Sequence, residues 1–379
     1  MIDENDDGVK PMNFLRTRVW GMMTVILCTL VSPAKSADFS LQTVEQGLDR
    51  PWSLAFMPDA SMLITLRGGQ LLHIKEGQRS MIEGLPDDIY VAGQGGLHDV
   101  VLHPKFADNG WVYLSYAAGS ADCNQLRVVR GQIHQHQWQQ QQDVLRVMPC
   151  KDTPVHYGAR MAFLPDNTLV VTTGDGFDYR EDAQRQDNQL GKTLRVTDTG
   201  GVPDDNPFAT SDSPLAQRVF SIGHRNPQGL AYDSIRRVLI AHEHGPAGGD
   251  EINVIHAGQN YGWPVATHGR DYSGARISPF TSYTGMNDPL LDWTPSIAPS
   301  GLLVYWGSMF REWEGDLFVG ALKDKALIRV EMDGLHVVAQ ETLLADRQQR
   351  IRDVRKHPDG SIYVLTDGEQ AELLRLYKP

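Results

Sequence analysis

The stretch MAFLPDNTLVVT, residues 161–172, decides the fold. It joins an apolar segment to a second segment rich in β-branched residues through a Pro-Asp turn, which predicts two short antiparallel strands. The stretch WSLAFMPDASMLIT, residues 52–65, has the same pattern. Four further units resemble it more loosely, at residues 100–115, 229–241, 303–320 and 354–365. The chain is therefore a degenerate repeat of short strand pairs.

The spacing of these units is irregular but close to the size of a four-stranded blade. It predicts an all-β fold, a six-bladed β-propeller with four-stranded antiparallel blades. Equivalent strand ends of a propeller lie on one face around the central axis, so polar residues that follow the second strand of each unit should converge. These residues are Arg67, Asp175, Glu243, His244, Lys323 and Asp367. The alternative is that such charges only solvate the blade ends.

Composition limits the possible partners. The chain has 379 residues, with 35 Lys and Arg against 47 Asp and Glu, a formal net charge of -12. A nucleic acid partner is not expected for such an acidic chain. The length fits one large propeller, so residues 37–379 are predicted to form a single six-bladed propeller domain.

The N-terminus has the pattern of a targeting segment. An apolar run at residues 19–31 follows two arginines, and small residues precede a cleavage point after residue 36. This predicts a cleaved signal peptide over residues 1–36, export to the periplasm and no stable membrane insertion. The true start could be Met12, and an uncleaved anchor is the alternative.

Two cysteines remain once that segment is removed, Cys123 and Cys150. In an oxidising compartment such a pair is expected to form a structural disulfide rather than a catalytic or metal-binding pair.

The run GHRNPQG, residues 223–229, carries the strongest binding signal. Arg225 and Asn226 can present guanidinium and amide donors to a planar ligand with several carbonyl or carboxylate groups. The segments EHGP (243–246) and DEIN (250–253) follow and could hold a hard cation beside that ligand.

Three other motifs carry candidate chemistry. His156 in HYGAR (156–160) is a candidate general base, although a lone histidine is more often structural. Gln94 lies in a glycine-rich loop that allows close approach of a ligand, but no helix follows as a nucleotide fingerprint requires. Arg350 and Arg352 alternate along a strand, which suits a polyanion. The alternative for this pair is a solvated strand face partnered by Asp353.

Together and in this order, these motifs resemble the soluble pyrroloquinoline quinone (PQQ) dependent glucose/sorbosone dehydrogenases, especially their periplasmic aldose sugar dehydrogenase branch. The resemblance covers nearly the whole mature chain and includes the motif NYGWP at residues 260–264. It implies an oxidoreductase that converts aldose sugars to lactones at the anomeric carbon. It also implies PQQ and Ca²⁺ as cofactors, a small aldose as substrate and an unidentified electron acceptor. The protein is expected to be a monomer or a homodimer.

The resemblance also implies a role for each matching residue. His156 would take the proton of the anomeric hydroxyl, and Arg225 would stabilise negative charge on a quinone oxygen. Asn226 and Gln94 would orient the quinone. The remaining cofactor residues would be Lys323, Arg350 and Arg352, which pair with the three carboxylates of PQQ, and Trp293, which forms an aromatic wall.

Calcium would bind at two places by the same resemblance. The main-chain oxygens of Gly245 and Pro246 would hold the cofactor's ion, and Glu251 with Tyr261 would hold a structural one. An ordinary turn carboxylate is the alternative for Glu251. One departure concerns the base: the aspartate that precedes the histidine in glucose dehydrogenases is Val155 here, so another partner, such as Asp175, is needed.

Two other functions stay open at this point. A calcium-dependent sugar lactonase would share the propeller and the ion, but it has no use for the three separated cations Lys323, Arg350 and Arg352. A non-catalytic propeller that acts as a binding platform would explain the repeats and little else.

Overall fold

The computed structural model describes residues 38–379, which form one compact unit. The predicted signal peptide, residues 1–36, lies outside the described residues. Six four-stranded antiparallel sheets make up almost all of the regular structure. The predicted six-bladed β-propeller is confirmed. No helix among the described residues is long and apolar enough to cross a membrane.

Blades 1 to 3 follow one another along the chain after strand β1 (Ser40–Leu48), which belongs to the last blade. Blade 1 contains β2 (Pro51–Phe56), β3 (Met62–Leu66), β4 (Gln70–Lys75) and β5 (Gln78–Ile82). Blade 2 contains β6 (Leu97–Leu102), helix α1 (Phe106–Asn109), β7 (Trp111–Gly119), β8 (Asn124–His134) and β9 (Gln137–Arg146). Blade 3 contains β10 (Met161–Phe163), β11 (Leu169–Thr172), β12 (Lys192–Val196) and β13 (Val219–Ile222), with 3-10 turns at Arg180–Gln184 and Ala216–Arg218.

Blades 4 to 6 complete the ring. Blade 4 contains β14 (Pro227–Asp233), β15 (Val238–Glu243), β16 (Asp250–Ile255) and β17 (Leu291–Trp293). Blade 5 contains β18 (Pro299–Val304), β19 (Leu317–Ala321), β20 (Ala326–Asp333) and β21 (His336–Leu343), with 3-10 turns at Arg311–Trp313 and Ala345–Arg347. Blade 6 contains β22 (Ile351–Lys356), β23 (Ile362–Thr366), β24 (Ala371–Tyr377) and β1.

The ring is closed by strands from the two ends of the described chain. β1 pairs antiparallel with β24, so that one strand from the N-terminal side completes the sheet of blade 6. This pairing removes an open seam between the first and last blades. It also gives β24 a hydrogen-bonded strand on both sides, so that β24 is not an exposed sheet edge.

The first strand of each blade is the innermost. These strands pack against one another around the axis. Five of the six have a register shift near their N-terminal end. A β-bulge re-aims the side chains that follow it and strengthens the local twist. The inner strand ends can therefore direct polar residues toward the axis.

A buried ionic network lies among these inner strands. The guanidinium of Arg160 contacts Asp99 at 3.4 Å and Asp353 at 3.2 Å, and Arg355 contacts the same two carboxylates at 3.1 and 2.9 Å. Asp353 also accepts a hydrogen bond from the amide of Leu54 at 3.1 Å. Since buried charges are tolerated only when they are paired, the network joins blades 1, 2, 3 and 6 through mutual compensation.

A disulfide joins Cys123 to Cys150, as predicted. It lies at the start of β8 and at the beginning of the connection from blade 2 to blade 3. The next residue on each side, Asn124 and Lys151, form a backbone bridge. The connection that leads to HYGAR is thereby attached to blade 2.

Candidate active site

One cavity on the axis receives residues from all six blades or the loops that enter them. Its volume is about 240 Å³. The lining residues are Trp52, Arg67, Gln94, His98, Tyr157, Gly158, Asn226, Gln228, His244, Ala298, Leu322, Arg350 and Arg352. Four of the predicted site residues are among them: Gln94, Asn226, Arg350 and Arg352.

His156 adjoins the lining residue Tyr157 and is paired with a carboxylate. Its Nδ1 lies 2.7 Å from Oδ1 of Asp175, the partner expected in place of Val155. The same carboxylate accepts hydrogen bonds from Nε1 of Trp263 at 2.8 Å and from the amide of Phe177 at 2.8 Å. Three donors therefore fix the orientation of Asp175, and Asp175 fixes the imidazole.

The electrostatics favour a neutral imidazole beside an ionised carboxylate. Burial lowers the pKa of His156, and the hydrogen bond with Asp175 opposes this only in part. Burial alone would raise the pKa of Asp175, but the hydrogen bond and charge of His156 hold it below its ordinary value. A carboxylate on Nδ1 places the imidazole proton there, which leaves Nε2 as the atom that can accept a proton.

Two amide side chains support the histidine loop. Gln94 Oε1 accepts a hydrogen bond from the amide of His156 at 2.9 Å, and Asn226 Oδ1 accepts one from the amide of Gly158 at 3.1 Å. Because both oxygens are engaged by the backbone, the amide nitrogens are the donors available to a ligand in the cavity.

Arg225 lies beside this cavity and lines a smaller neighbouring one. Its Nη1 donates to the carbonyl oxygens of His244 at 3.1 Å and Gly245 at 2.9 Å. The backbone amide of Arg225 donates to Glu243, whose other oxygen lies 2.9 Å from Nδ1 of His224. The strand end of β15 thus holds the guanidinium in place.

Three arginines, Arg67, Arg350 and Arg352, line the cavity, and one carboxylate, that of Asp367, pairs with two of them. Asp367 contacts Arg350 at 2.8 Å and Arg352 at 3.1 Å. Burial lowers the pKa of Arg67, and the charge of Arg352 lowers it further. The cluster therefore has an excess of positive charge that suits an anionic ligand. Asp353, the alternative partner, instead belongs to the axial network.

Lys323 and Trp293 lie outside the lining of this cavity. The Lys323 side chain is exposed, and its Nζ donates to the carbonyl oxygen of Ser296 at 2.9 Å. The Trp293 indole is buried in an apolar cluster of blades 4 and 5, where its Nε1 donates to Gln340 at 2.6 Å. Neither side chain is among the lining residues of the cavity, and their cofactor roles stay predictions.

The smaller cavity contains most of the predicted calcium residues. Glu243, Gly245, Glu251 and Tyr261 line it, and Pro246 is buried next to Gly245. Burial and the neighbouring Glu243 raise the pKa of Glu251 well above its ordinary value. Within residues 38–379 no three His, Cys, Asp or Glu side chains are grouped as a metal site. The two calcium assignments stay predictions.

Two exposed aromatic rings, those of Phe177 and Tyr272, lie next to His156 and Arg225. The Phe177 ring stands edge-on to the His156 imidazole with centroids 5.3 Å apart, and it lies nearly parallel to Tyr272 at 6.3 Å. Their exposed fractions are 42% and 64%. The Tyr272 hydroxyl is 3.4 Å from Nη2 of Arg225. Sequence reasoning did not identify this pair individually.

Comparison with known proteins shows the family of the chain. Residues 48–375 match the family described as Glucose / Sorbosone dehydrogenase. The chain belongs to this family. Within the glucose/sorbosone dehydrogenases, it is 41% identical over 351 residues to aldose sugar dehydrogenase YliI of Escherichia coli, a match that covers 90% of this chain and 94% of the relative.

Solved structures extend the likeness to three dimensions. The apo-form of the soluble aldose sugar dehydrogenase from Escherichia coli is 40% identical, with a TM-score of 0.86, and the match covers 90% of this chain and 100% of the other. The PQQ-bound form of aldose sugar dehydrogenase from Streptomyces coelicolor is 28% identical, with a TM-score of 0.75 and coverage of 90% and 99%. The expected resemblance is confirmed.

Several residues of the site were not assigned from sequence. Trp263 donates a hydrogen bond to Asp175. It belongs to the motif NYGWP, so the motif could have indicated a residue of the site. Arg67 and Asp367 belonged to the predicted set of strand-end charges but had no individual role. Trp52 and His98 line the cavity without any local pattern that distinguishes them from core residues.

Proposed function

We propose that the protein is a PQQ-dependent aldose dehydrogenase that oxidises the anomeric carbon of an aldose to the lactone. The observation that carries the proposal is the His156–Asp175 pair beside an axial cavity that bears three arginines. A general base and an excess of cations in one site suit deprotonation of a sugar next to an anionic cofactor.

The residues present fit PQQ. Its carboxylates match the guanidinium groups of Arg67, Arg350 and Arg352, and its quinone carbonyls match the amide donors of Gln94 and Asn226. When bound, PQQ supplies the acceptor for two electrons and a proton. Lys323 and Trp293, which the resemblance also assigns to PQQ, stay predictions.

The protein's own contribution is deprotonation and charge stabilisation. Nε2 of His156 accepts the proton of the anomeric hydroxyl. The negative charge left on that oxygen favours departure of a hydride from the anomeric carbon. Asp175 stabilises the imidazolium that results. Arg225 supplies fixed positive charge next to Asn226, where developing negative charge is best stabilised by a preorganised donor.

Calcium is part of the proposal at both predicted places. The main-chain oxygens of Gly245 and Pro246 would hold the cofactor's ion, and carbonyl oxygens are ligands that Ca²⁺ accepts. Glu251 and Tyr261 would hold the second ion. The raised pKa of Glu251 beside Glu243 supports this, because a divalent cation would relieve two neighbouring buried carboxyl groups.

The setting of the enzyme is also proposed. The disulfide between Cys123 and Cys150 supports an oxidising compartment, which agrees with export to the periplasm by the predicted signal peptide. The sugar would enter over Phe177 and Tyr272, whose rings are exposed next to His156 and Arg225. The arginines at the cavity weigh against a lactonase, which needs carboxylate and amide oxygens around its ion.

The test is reconstitution of the purified, cofactor-free protein. PQQ and calcium are added separately and together, PQQ binding is followed by absorbance, and dye-linked oxidation is measured over a panel of aldoses. We expect activity only with PQQ and calcium, and its loss in His156→Ala while PQQ still binds. PQQ binding without oxidation of any aldose would reject the substrate class. Failure to bind PQQ would reject the function.

A further inference from the structure

The loop that carries His156 needs support from outside itself. Residues 151–158 connect blade 2 to blade 3 without a regular strand, and His156 has a φ of +54°. A non-glycine residue in this left-handed region is strained, so it persists only where surrounding contacts hold it there. The hydrogen bonds that the amides of His156 and Gly158 donate to Gln94 and Asn226 hold the C-terminal half of the loop.

A buried lysine holds the beginning of the loop. Lys151 is 3% exposed, and its Nζ donates to Asn124 Oδ1 at 3.0 Å and to the carbonyl oxygen of Thr153. The ammonium also lies 3.7 Å from the centroid of the Tyr157 ring. The Tyr157 hydroxyl donates to the same Asn124 Oδ1 at 2.6 Å. One ammonium therefore contacts two points of the catalytic loop.

The backbone attaches the same residue to blade 2. Lys151 and Asn124 exchange two backbone hydrogen bonds of 2.8 Å, directly beside the disulfide between Cys123 and Cys150. The ammonium, the bridge and the disulfide thus form one attachment of the loop to the start of β8.

Lys151 also packs against the turn that carries Asp175. A Cβ built on Gly176 would lie 2.7 Å from Cδ of Lys151, and the hydroxyl of Thr153 donates to the carbonyl oxygen of Gly176 at 2.6 Å. The lysine is thereby in contact with both segments that supply the His156–Asp175 pair.

A lysine is an unfavourable choice for packing alone. Burial lowers the pKa of Lys151 to about 7, and the charges of Asp175 and Asp152 oppose this. Its charge in turn lowers the pKa of His156, as does that of Arg225. An apolar side chain would fill this space without the desolvation of an ammonium, so the charged group must serve a local purpose.

We infer that Lys151 is a positioning residue for His156: its ammonium fastens the catalytic loop to blade 2 and supports the turn that bears Asp175. The role depends on the proposed function only in that His156 is taken as the base. Lys151 does not contact the reacting atoms and acts through the geometry of the pair.

The test compares two buried lysines. Lys151→Met removes the proposed anchor, whereas Lys192→Met removes an ammonium that donates to the carbonyl oxygens of Asp182, Ala183 and Leu190, none of them in the loop. For Lys151→Met we expect a fall in kcat of about tenfold or more, since small misplacement of a catalytic group is costly, with PQQ affinity unchanged. Lys192→Met should lower thermal stability and keep the kcat of the folded enzyme.

Two further readouts separate positioning from loss of stability. In the cofactor-free protein, hydrogen exchange of the amides of His156 and Gly158 should accelerate in Lys151→Met and not in Lys192→Met. In the reconstituted enzyme, the acidic limb of kcat/KM should move to higher pH in Lys151→Met, because a charge that lowers the pKa of His156 is gone.

The outcomes are distinct. Wild-type kcat and wild-type loop exchange in Lys151→Met would overturn the inference. Faster loop exchange together with no sugar oxidation by the wild type would reject the proposed function and leave the structural role of Lys151 supported. If Lys151→Met does not fold, Lys151→Gln keeps a donor toward Asn124 without the charge, and the same comparison decides.

Discussion

The charge of Asp175 can be removed with little change in shape. In Asp175→Asn, the remaining oxygen can still accept from Nδ1 of His156 and from the amide of Phe177, which share Oδ1 in the wild type. The new NH₂ group would then face the donor Nε1 of Trp263, which contacts Oδ2 at 2.8 Å. The substitution therefore removes one charge and one acceptor and keeps the histidine's tautomer.

The magnitude follows from the charge. Two unit charges about 4 Å apart interact by roughly 4 kcal/mol at an effective dielectric constant of about 20. Since about 1.4 kcal/mol corresponds to a tenfold change in rate, complete loss of imidazolium stabilisation would cost about 10³-fold. The amide dipole keeps part of it, so kcat should fall by about 10²- to 10³-fold. The unpaired indole donor should cost a further 1–3 kcal/mol or so of stability.

The assay is dye-linked aldose oxidation by the reconstituted enzyme, with PQQ binding measured on the same samples. His156→Ala serves as the reference for complete loss of the base, and chemical denaturation measures the stability term. A kcat within about threefold of wild type, with PQQ bound, would show that Asp175 does not stabilise a charged His156, since that change is worth less than 1 kcal/mol.

Three other substitutions, one of them with a control variant, test the fold, the cation cluster and the entrance. Arg160→Met should destabilise the protein by about 3–5 kcal/mol in urea unfolding, because it leaves the buried carboxylates of Asp99 and Asp353 with one cation, Arg355, instead of two. Arg79→Met, at a more exposed pair, should cost about 0–1 kcal/mol. Burial alone would raise the pKa of Asp367, but Arg352 and Arg350 hold it below its ordinary value. The stability that this carboxylate contributes is therefore present above its ordinary pKa and is lost as the pH falls. Asp367→Asn should therefore flatten the acid-side decline of Tm, and an unchanged decline would contradict this. Tyr272→Ala should raise the KM for the sugar by about two- to tenfold, the range expected for one aromatic contact, and an altered PQQ affinity with the same KM would assign the ring to the cofactor instead.

The propeller could be predicted because its signal is local and repeated. The second segments of all six units, such as residues 62–65 and 169–172, lie inside observed strands. Apolar alternation and Pro-Asp turns act over a few residues, so they survive in a degenerate repeat. The pairing of β1 with β24 was not predicted, because it joins distant segments and has no local pattern.

The direction of individual side chains was harder to predict. Alternation placed Arg350 and Arg352 on one face of a regular strand, but Arg350 lies one residue before β22 and the register shifts between Ile351 and Asp353. Both arginines still reach the cavity. Trp293, to which the resemblance gives a cofactor role that stays a prediction, lies in an apolar cluster of the blades, on a strand that pairs without a register shift. A shift of one residue exchanges the two faces of a strand, and a motif does not record it.

Contacts between blades could not be predicted from the sequence either, because they join residues that are far apart in the chain. Nothing near Lys151 indicates that its ammonium reaches Asn124, which is 27 residues earlier in the chain. The pairing of His156 with Asp175 could be suggested only because the neighbouring Val155 cannot supply a carboxylate.

The closure of blade 6 has a consequence for how the protein reaches its native state. β1 and β24 belong to opposite ends of the described chain, so their contacts join residues more than 320 positions apart, such as Ser40 and Tyr377. Contacts of this kind form late, because the entropy of closing a long loop must be overcome first. Until they form, β24 has a free edge that can pair with another molecule. Refolding at high protein concentration should therefore favour aggregation over ring closure, and a chain that lacks residues 38–48 should aggregate even when its other blades are intact.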